Sequence, residues 1–91
     1  MIARHLIISG KVQGVFYRGW SVETALSLGL TGWVRNRTNG DVELLVQGRP
    51  EPVARFIELA HFGPSAAQVT AITAEEAPVS FIHGFEQRAT I

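Results

Sequence analysis

The chain has 91 residues, 46% of them hydrophobic and 18% charged, with eight basic residues balancing eight acidic ones and no cysteine. That size makes one domain over residues 1–91, apolar enough to fold alone and unlike a disordered charged tail. The charge balance removes the footprint of nucleic-acid or membrane-surface binding, and the missing cysteines remove disulfides, thiolate metal sites and a cysteinyl-phosphate intermediate.

The N-terminus alternates instead of forming an apolar leader, and no run approaches membrane-spanning length. The expectation is a soluble cytoplasmic protein. Residues 2–9 read as a strand, with Leu6 and Ile8 on one face and His5, Ile7 and Ser9 on the other. Next comes Gly10-Lys11-Val12-Gln13-Gly14-Val15-Phe16-Tyr17-Arg18. Two glycines four apart let a short loop curl so that successive N–H groups face one concavity, an anion-binding arrangement. Arg18 then falls at a helix N-terminus, where unpaired N–H groups and the helix dipole already favour negative charge. A forked, permanently charged guanidinium there suits a phosphate or carboxylate. Neither a P-loop nor a GxGxxG is present.

Tyr17 to Leu28 reads as a helix closed by Gly29, with two candidate apolar stripes: Tyr17, Ser21, Ala25 and Leu28, or Val22, Ala25 and Leu26. Residues 30–37 and 41–47 read as strands around Thr38-Asn39-Gly40. A two-residue Asn-Gly turn would set Asn36 opposite Glu43 and mix polar with apolar residues on both faces. A longer loop with Gly40 left-handed sets Asn36 opposite Val42 and Val34 opposite Leu44, and is preferred because a register slip swaps faces. One face then carries Val34, Asn36, Val42, Leu44 and Val46, with Asn36 its one polar residue. The other carries Arg35, Asp41, Glu43 and Gln47, read as charge on a solvated face together with Arg37.

Pro50 and Pro52 open a second helix with Val53, Phe56, Ile57 and Ala60 on one side, ended by Gly63-Pro64. Residues 66–74 read as a strand with Val69 and Ile72 toward the core, and a last short strand runs from Phe81 to Thr90, interrupted by Gly84. The order is βαββαβ plus a tail: an α+β, ferredoxin-like sandwich in which an antiparallel sheet carries two helices on one face. Many functions share that plan, so it selects none.

Two segments select one. The first is Gly10 to Arg18, of the form Gly-x-Val-Gln-Gly-Val-x-Phe/Tyr-Arg. The second is Gly32-Trp33-Val34-Arg35-Asn36-Arg37-Thr38-Asn39-Gly40-Asp41-Val42, followed by five residues and Gly48. Together they resemble the two signatures of the acylphosphatase family, and Gly63-Pro64, Val69 and Phe85 extend the likeness over nearly the whole chain. The resemblance implies hydrolysis of acyl phosphates to carboxylate and inorganic phosphate, with phosphate both product and inhibitor. It implies that Arg18 and the backbone of Gln13, Gly14, Val15, Phe16 and Tyr17 bind the phosphoryl group while Asn36 orients the attacking water. No metal and no cofactor are expected, because neither signature holds a His, Cys or carboxylate cluster of ligand type.

Other residues carry blander readings. His5, His61 and His83 are too scattered for a ligand set and read as surface or strand-end residues. Trp20 and Trp33 read as packing rather than a base-stacking platform. Two positions depart from the family pattern: Gln87 stands where many members have Ile after the late Phe, and Arg37 stands where a small hydroxylated residue is common. The competing readings are a non-catalytic anion-binding module, as occurs within hydrogenase maturation factors, and an RNA-binding domain. The end of the chain at residue 91 without a linker favours a free-standing enzyme over the first. The balanced charge disfavours the second.

Overall fold

Alternating apolar residues build the first strand, β1 (Ile2–Lys11), in which Ala3, Leu6 and Ile8 are fully buried. The computed structural model describes residues 1–91 and continues through α1 (Tyr17–Ser27), β2 (Thr31–Asn36), β3 (Val42–Gly48), α2 (Pro50–Ala60), β4 (Gln68–Ala77) and β5 (Phe85–Gln87). The five strands form one sheet in the order β4-β1-β3-β2-β5. The β1–β3, β1–β4 and β2–β3 pairs are antiparallel, as expected for the ferredoxin-like plan. The short β5 instead adds to the β2 edge in parallel, setting Gly32 against Phe85 and Val34 against Gln87. The expected antiparallel sheet is therefore a mixed one, because the chain crosses from one sheet edge to the other before β5.

The hairpin has the longer-loop register: Asn36 pairs with Val42 and Val34 with Leu44. Gly40 has φ 98°, a backbone conformation that side-chain-bearing residues rarely adopt. Val34, Val42, Leu44 and Val46 all lie in the core, each fully buried. On α1 the Tyr17–Ser21–Ala25 stripe is the buried one, while Leu26 is exposed. The Ser21 hydroxyl is satisfied by donating to the Tyr17 carbonyl, so that polar residue sits in the core without an orphaned group. On α2, Val53, Phe56 and Ala60 face the sheet, where Phe56 packs near Trp20 and Phe85. Tyr17 ties the two helices, donating its hydroxyl to the Ala60 carbonyl at 2.6 Å. β4 starts and ends later than the expected strand, and Val69 and Ile72 pack at the core margin.

The outer face of the sheet is the main departure. Glu43, Leu45 and Gln47 are buried there instead of solvated. Glu43 accepts from Arg35 at 2.6 Å and Arg37 at 3.2 Å, and His5 Nε2 lies 2.6 Å from its other oxygen. Gln47 both donates to and accepts from the Ser80 backbone, tying the segment between β4 and β5 to this face. Trp33 is flanked by the guanidinium groups of Arg35 and Arg88 at 4.7 and 4.9 Å. Arg35, Arg37 and His5 are thus a clamp around one buried carboxylate rather than free surface groups. Burial would raise the Glu43 pKa, but the hydrogen bonds from Arg35 and His5 outweigh it and hold the carboxyl below its ordinary value.

Candidate active site

β1 and β2 both run antiparallel to β3, so their C-terminal ends reach the same end of the sheet. The loop leaving β1 and the hairpin leaving β2 therefore meet. Their join is specific: the Gln13 side-chain amide donates to the carbonyls of Arg37 and Asp41 at 2.8 and 2.9 Å. One carboxamide thus sets the height of the loop against the hairpin that carries Asn36. The sequence placed the Gln13 backbone in the site, but it held no sign of this side-chain bridge across 24 and 28 residues.

The loop itself is built on two left-handed residues. Gly14 has φ 74°, and a side chain there would meet the conformational penalty that glycine escapes. Phe16 also has positive φ, 70°, which is uncommon for an aromatic residue, and it is the N-cap of α1. The N–H groups of residues 13–17 donate to none of the 16 backbone bonds made by turns, loops and caps. A run of N–H donors without protein acceptors beside a helix N-terminus is the composition of an anion cradle. Arg18 adds a half-buried guanidinium that makes no ion pair or hydrogen bond within the protein.

Beside this loop lies an open hollow of about 140 Å³ lined by Val12, Gly14, Phe16, Tyr17, Arg18, Gly19 and Gln87. Gln87 was noted in the sequence only as a departure, and the parallel pairing of β5 is what brings it here. Asn36 does not line the hollow. It lies on the same sheet face, one diagonal step from Gln87, because Val34 pairs with Gln87 and side chains alternate along the strand. Its backbone is tied on both sides, to Val42 of β3 and through its carbonyl to the Ile91 N–H. Its side-chain oxygen is buried and has no hydrogen-bond partner in the protein, the only such side-chain atom in the chain. A buried amide oxygen left so costs about 1–3 kcal/mol, which makes it an acceptor for a donor from solvent or ligand.

Tyr17 lines the hollow but is not available for chemistry. Burial pushes its hydroxyl pKa well up, and its proton is engaged by Ala60. His61 and His83 lie on exposed positions and neither lines the hollow, and no group of three or more His, Asp or Glu is gathered as a metal ligand set.

Comparison with known proteins gives the family of the chain. The model of the acylphosphatase family matches residues 4–87. An acylphosphatase of Acidovorax sp. (strain JS42) is 50% identical over 90 residues, covering 99% of this chain and 93% of that protein. The structure of an acylphosphatase from Coxiella burnetii superposes with a TM-score of 0.93 at 39% identity, covering 96% of this chain and 92% of that one. Full-length HypF, in its phosphate- and nucleotide-bound form, contains a similar fold, with a TM-score of 0.90 at 27% identity over 98% of this chain and 12% of the HypF chain. The chain belongs to the acylphosphatase family and is an acylphosphatase.

Proposed function

We propose that the enzyme cleaves the carboxyl–phosphate bond of acyl phosphates without a metal ion. In this reading Arg18 and the N–H groups of residues 13–17 hold the phosphoryl oxygens, and Asn36 orients the water that attacks phosphorus. What supports it is one juxtaposition: unused N–H donors beside Arg18, stitched by Gln13 to a hairpin whose Asn36 offers a buried, unpartnered amide oxygen.

The chemistry needs little more. A new bond forms from the water oxygen to phosphorus as the bond to the acyl oxygen breaks. The leaving group departs as a carboxylate, which needs no proton, so no general acid is required. Phosphoryl transfer is then chiefly placement and stabilisation of charge on the equatorial oxygens. Asn36 cannot act as a base, since a carboxamide does not titrate near neutral pH. The water proton passes to a phosphoryl oxygen of the substrate, which leaves as inorganic phosphate. Phosphate monoesters are poor substrates on this scheme, because an alkoxide leaving group needs an acid that the site does not supply.

The test is release of phosphate from benzoyl phosphate in excess EDTA. Full activity is expected. Activity lost in EDTA and regained with Mg²⁺ or Zn²⁺ would remove the metal-free scheme.

A further inference from the structure

Once the phosphoryl group is assigned to the cradle, the acyl group must lie elsewhere in the hollow. Among its lining groups, the exposed Phe16 side chain and Gln87 are unused by the scheme above. Phe16 is held in a left-handed conformation at φ 70°, although a glycine would adopt it freely, and the residue is 62% exposed where it lines the hollow. Strained, exposed aromatic residues next to a ligand cleft point to a role in binding rather than in packing. The ring is not loose. It lies against the first turn of α1, where a Cβ on Gly19 would overlap its Cδ1, Cε1 and Cζ atoms. The missing side chain at Gly19 is what lets the ring lie down on the helix beside Arg18. Gln87 approaches from β5: Phe85 on the same face is buried in the core, and Gln87, two residues on, reaches the hollow.

We propose that Phe16 and Gln87 form the acyl subsite of this enzyme. The Phe16 ring is a platform for a flat, conjugated acyl group, and the Gln87 carboxamide hydrogen-bonds the acyl carbonyl oxygen. The favoured substrate class is therefore an aromatic or otherwise conjugated acyl phosphate. This inference rests on the phosphoryl placement argued above. It assigns different consequences to the two residues: the platform discriminates between acyl groups, whereas the carboxamide meets a carbonyl that every acyl phosphate carries.

The experiment compares kcat/KM for benzoyl and acetyl phosphate, with inhibition by inorganic phosphate as a third readout. Phe16→Asn keeps a residue tolerant of the left-handed conformation and of the N-cap position. It is expected to lower the benzoyl-to-acetyl ratio about tenfold, the scale of one lost aromatic contact, and Phe16→Tyr should retain the ratio. Gln87→Ile is expected to lower kcat/KM for both substrates by up to about tenfold, with the phosphate inhibition constant within about twofold of wild type. An unchanged ratio in Phe16→Asn, or unchanged kcat/KM in Gln87→Ile, overturns the subsite while leaving the hydrolytic reading intact. A wild-type protein that hydrolyses neither substrate overturns both.

Discussion

The roles proposed for Arg18 and Asn36 differ, and their variants should differ in kinetics. A guanidinium at the phosphoryl oxygens serves ground state and transition state alike, so Arg18→Ala should weaken inhibition by phosphate and lower turnover together. Arg18→Lys should also be poor, because a point charge does not reproduce a planar fork. Asn36 has one unpartnered oxygen and no place in the lining of the hollow. Asn36→Ala should therefore leave phosphate inhibition nearly unchanged and cut kcat by a factor of about 10² to 10³, the scale of one lost oriented interaction. Steady-state kinetics on both variants, with phosphate as competitor, separates these outcomes. If folded Asn36→Ala loses phosphate inhibition as badly as Arg18→Ala, Asn36 is a ligand or loop support instead. The positions of both residues, Arg18 opening α1 and Asn36 on the helix-covered face of the hairpin, were legible in the sequence because each sits inside a short motif. The role of the Gln13 side chain was not, since its acceptors lie on another element.

Among the elements, β3 shows how neighbours override a local pattern. Read alone, its alternation assigns Glu43 and Gln47 to water. In the sheet, Glu43 is gripped by Arg35 and Arg37 from the β2 side and by His5 from β1, and Gln47 is capped by Ser80. A carboxyl whose pKa is lowered on folding binds its proton more readily in the unfolded chain. Its stabilisation is present above the ordinary carboxylate range and is lost as pH falls through the folded value. Glu43→Gln should cost about 2 kcal/mol near neutral pH, a charged hydrogen-bond network discounted because Arg37 is partly open to solvent. The variant should also lose part of the acid limb of the stability curve. Urea unfolding of both proteins across the acid range checks this: the difference should shrink as pH falls. A difference constant with pH would mean that the ionised carboxylate is not what the clamp holds.

At the scale of the whole molecule, binding and folding are linked. The proposed cradle needs the loop after β1, the first turn of α1 and the β2–β3 hairpin assembled together, so on that proposal the native state alone binds phosphate. Inorganic phosphate at ten times its dissociation constant should add about 1.4 kcal/mol, a rise of several degrees in Tm for a domain of this size. Thermal melts at constant ionic strength measure it, and Arg18→Ala should abolish most of the shift. A wild-type Tm indifferent to phosphate would show that the N–H groups of residues 13–17 do not form an anion site.

What the sequence determined by itself was local or periodic. It contained the glycine-spaced loop that opens α1 at Arg18, and the hairpin register that turns Asn36 toward the helices. It also contained the two signatures that identify the family. These are legible because a loop, a helix start and a two-stranded register each depend on residues close together in the chain. The tertiary structure decided the rest. It chose the Tyr17–Ser21–Ala25 stripe of α1, buried Glu43 under side chains from two other strands, and laid β5 parallel to β2 so that Gln87 enters the site. Each of those outcomes is a contact between residues brought together only by folding, where burial and hydrogen-bond satisfaction decide between faces that the sequence alone leaves equivalent.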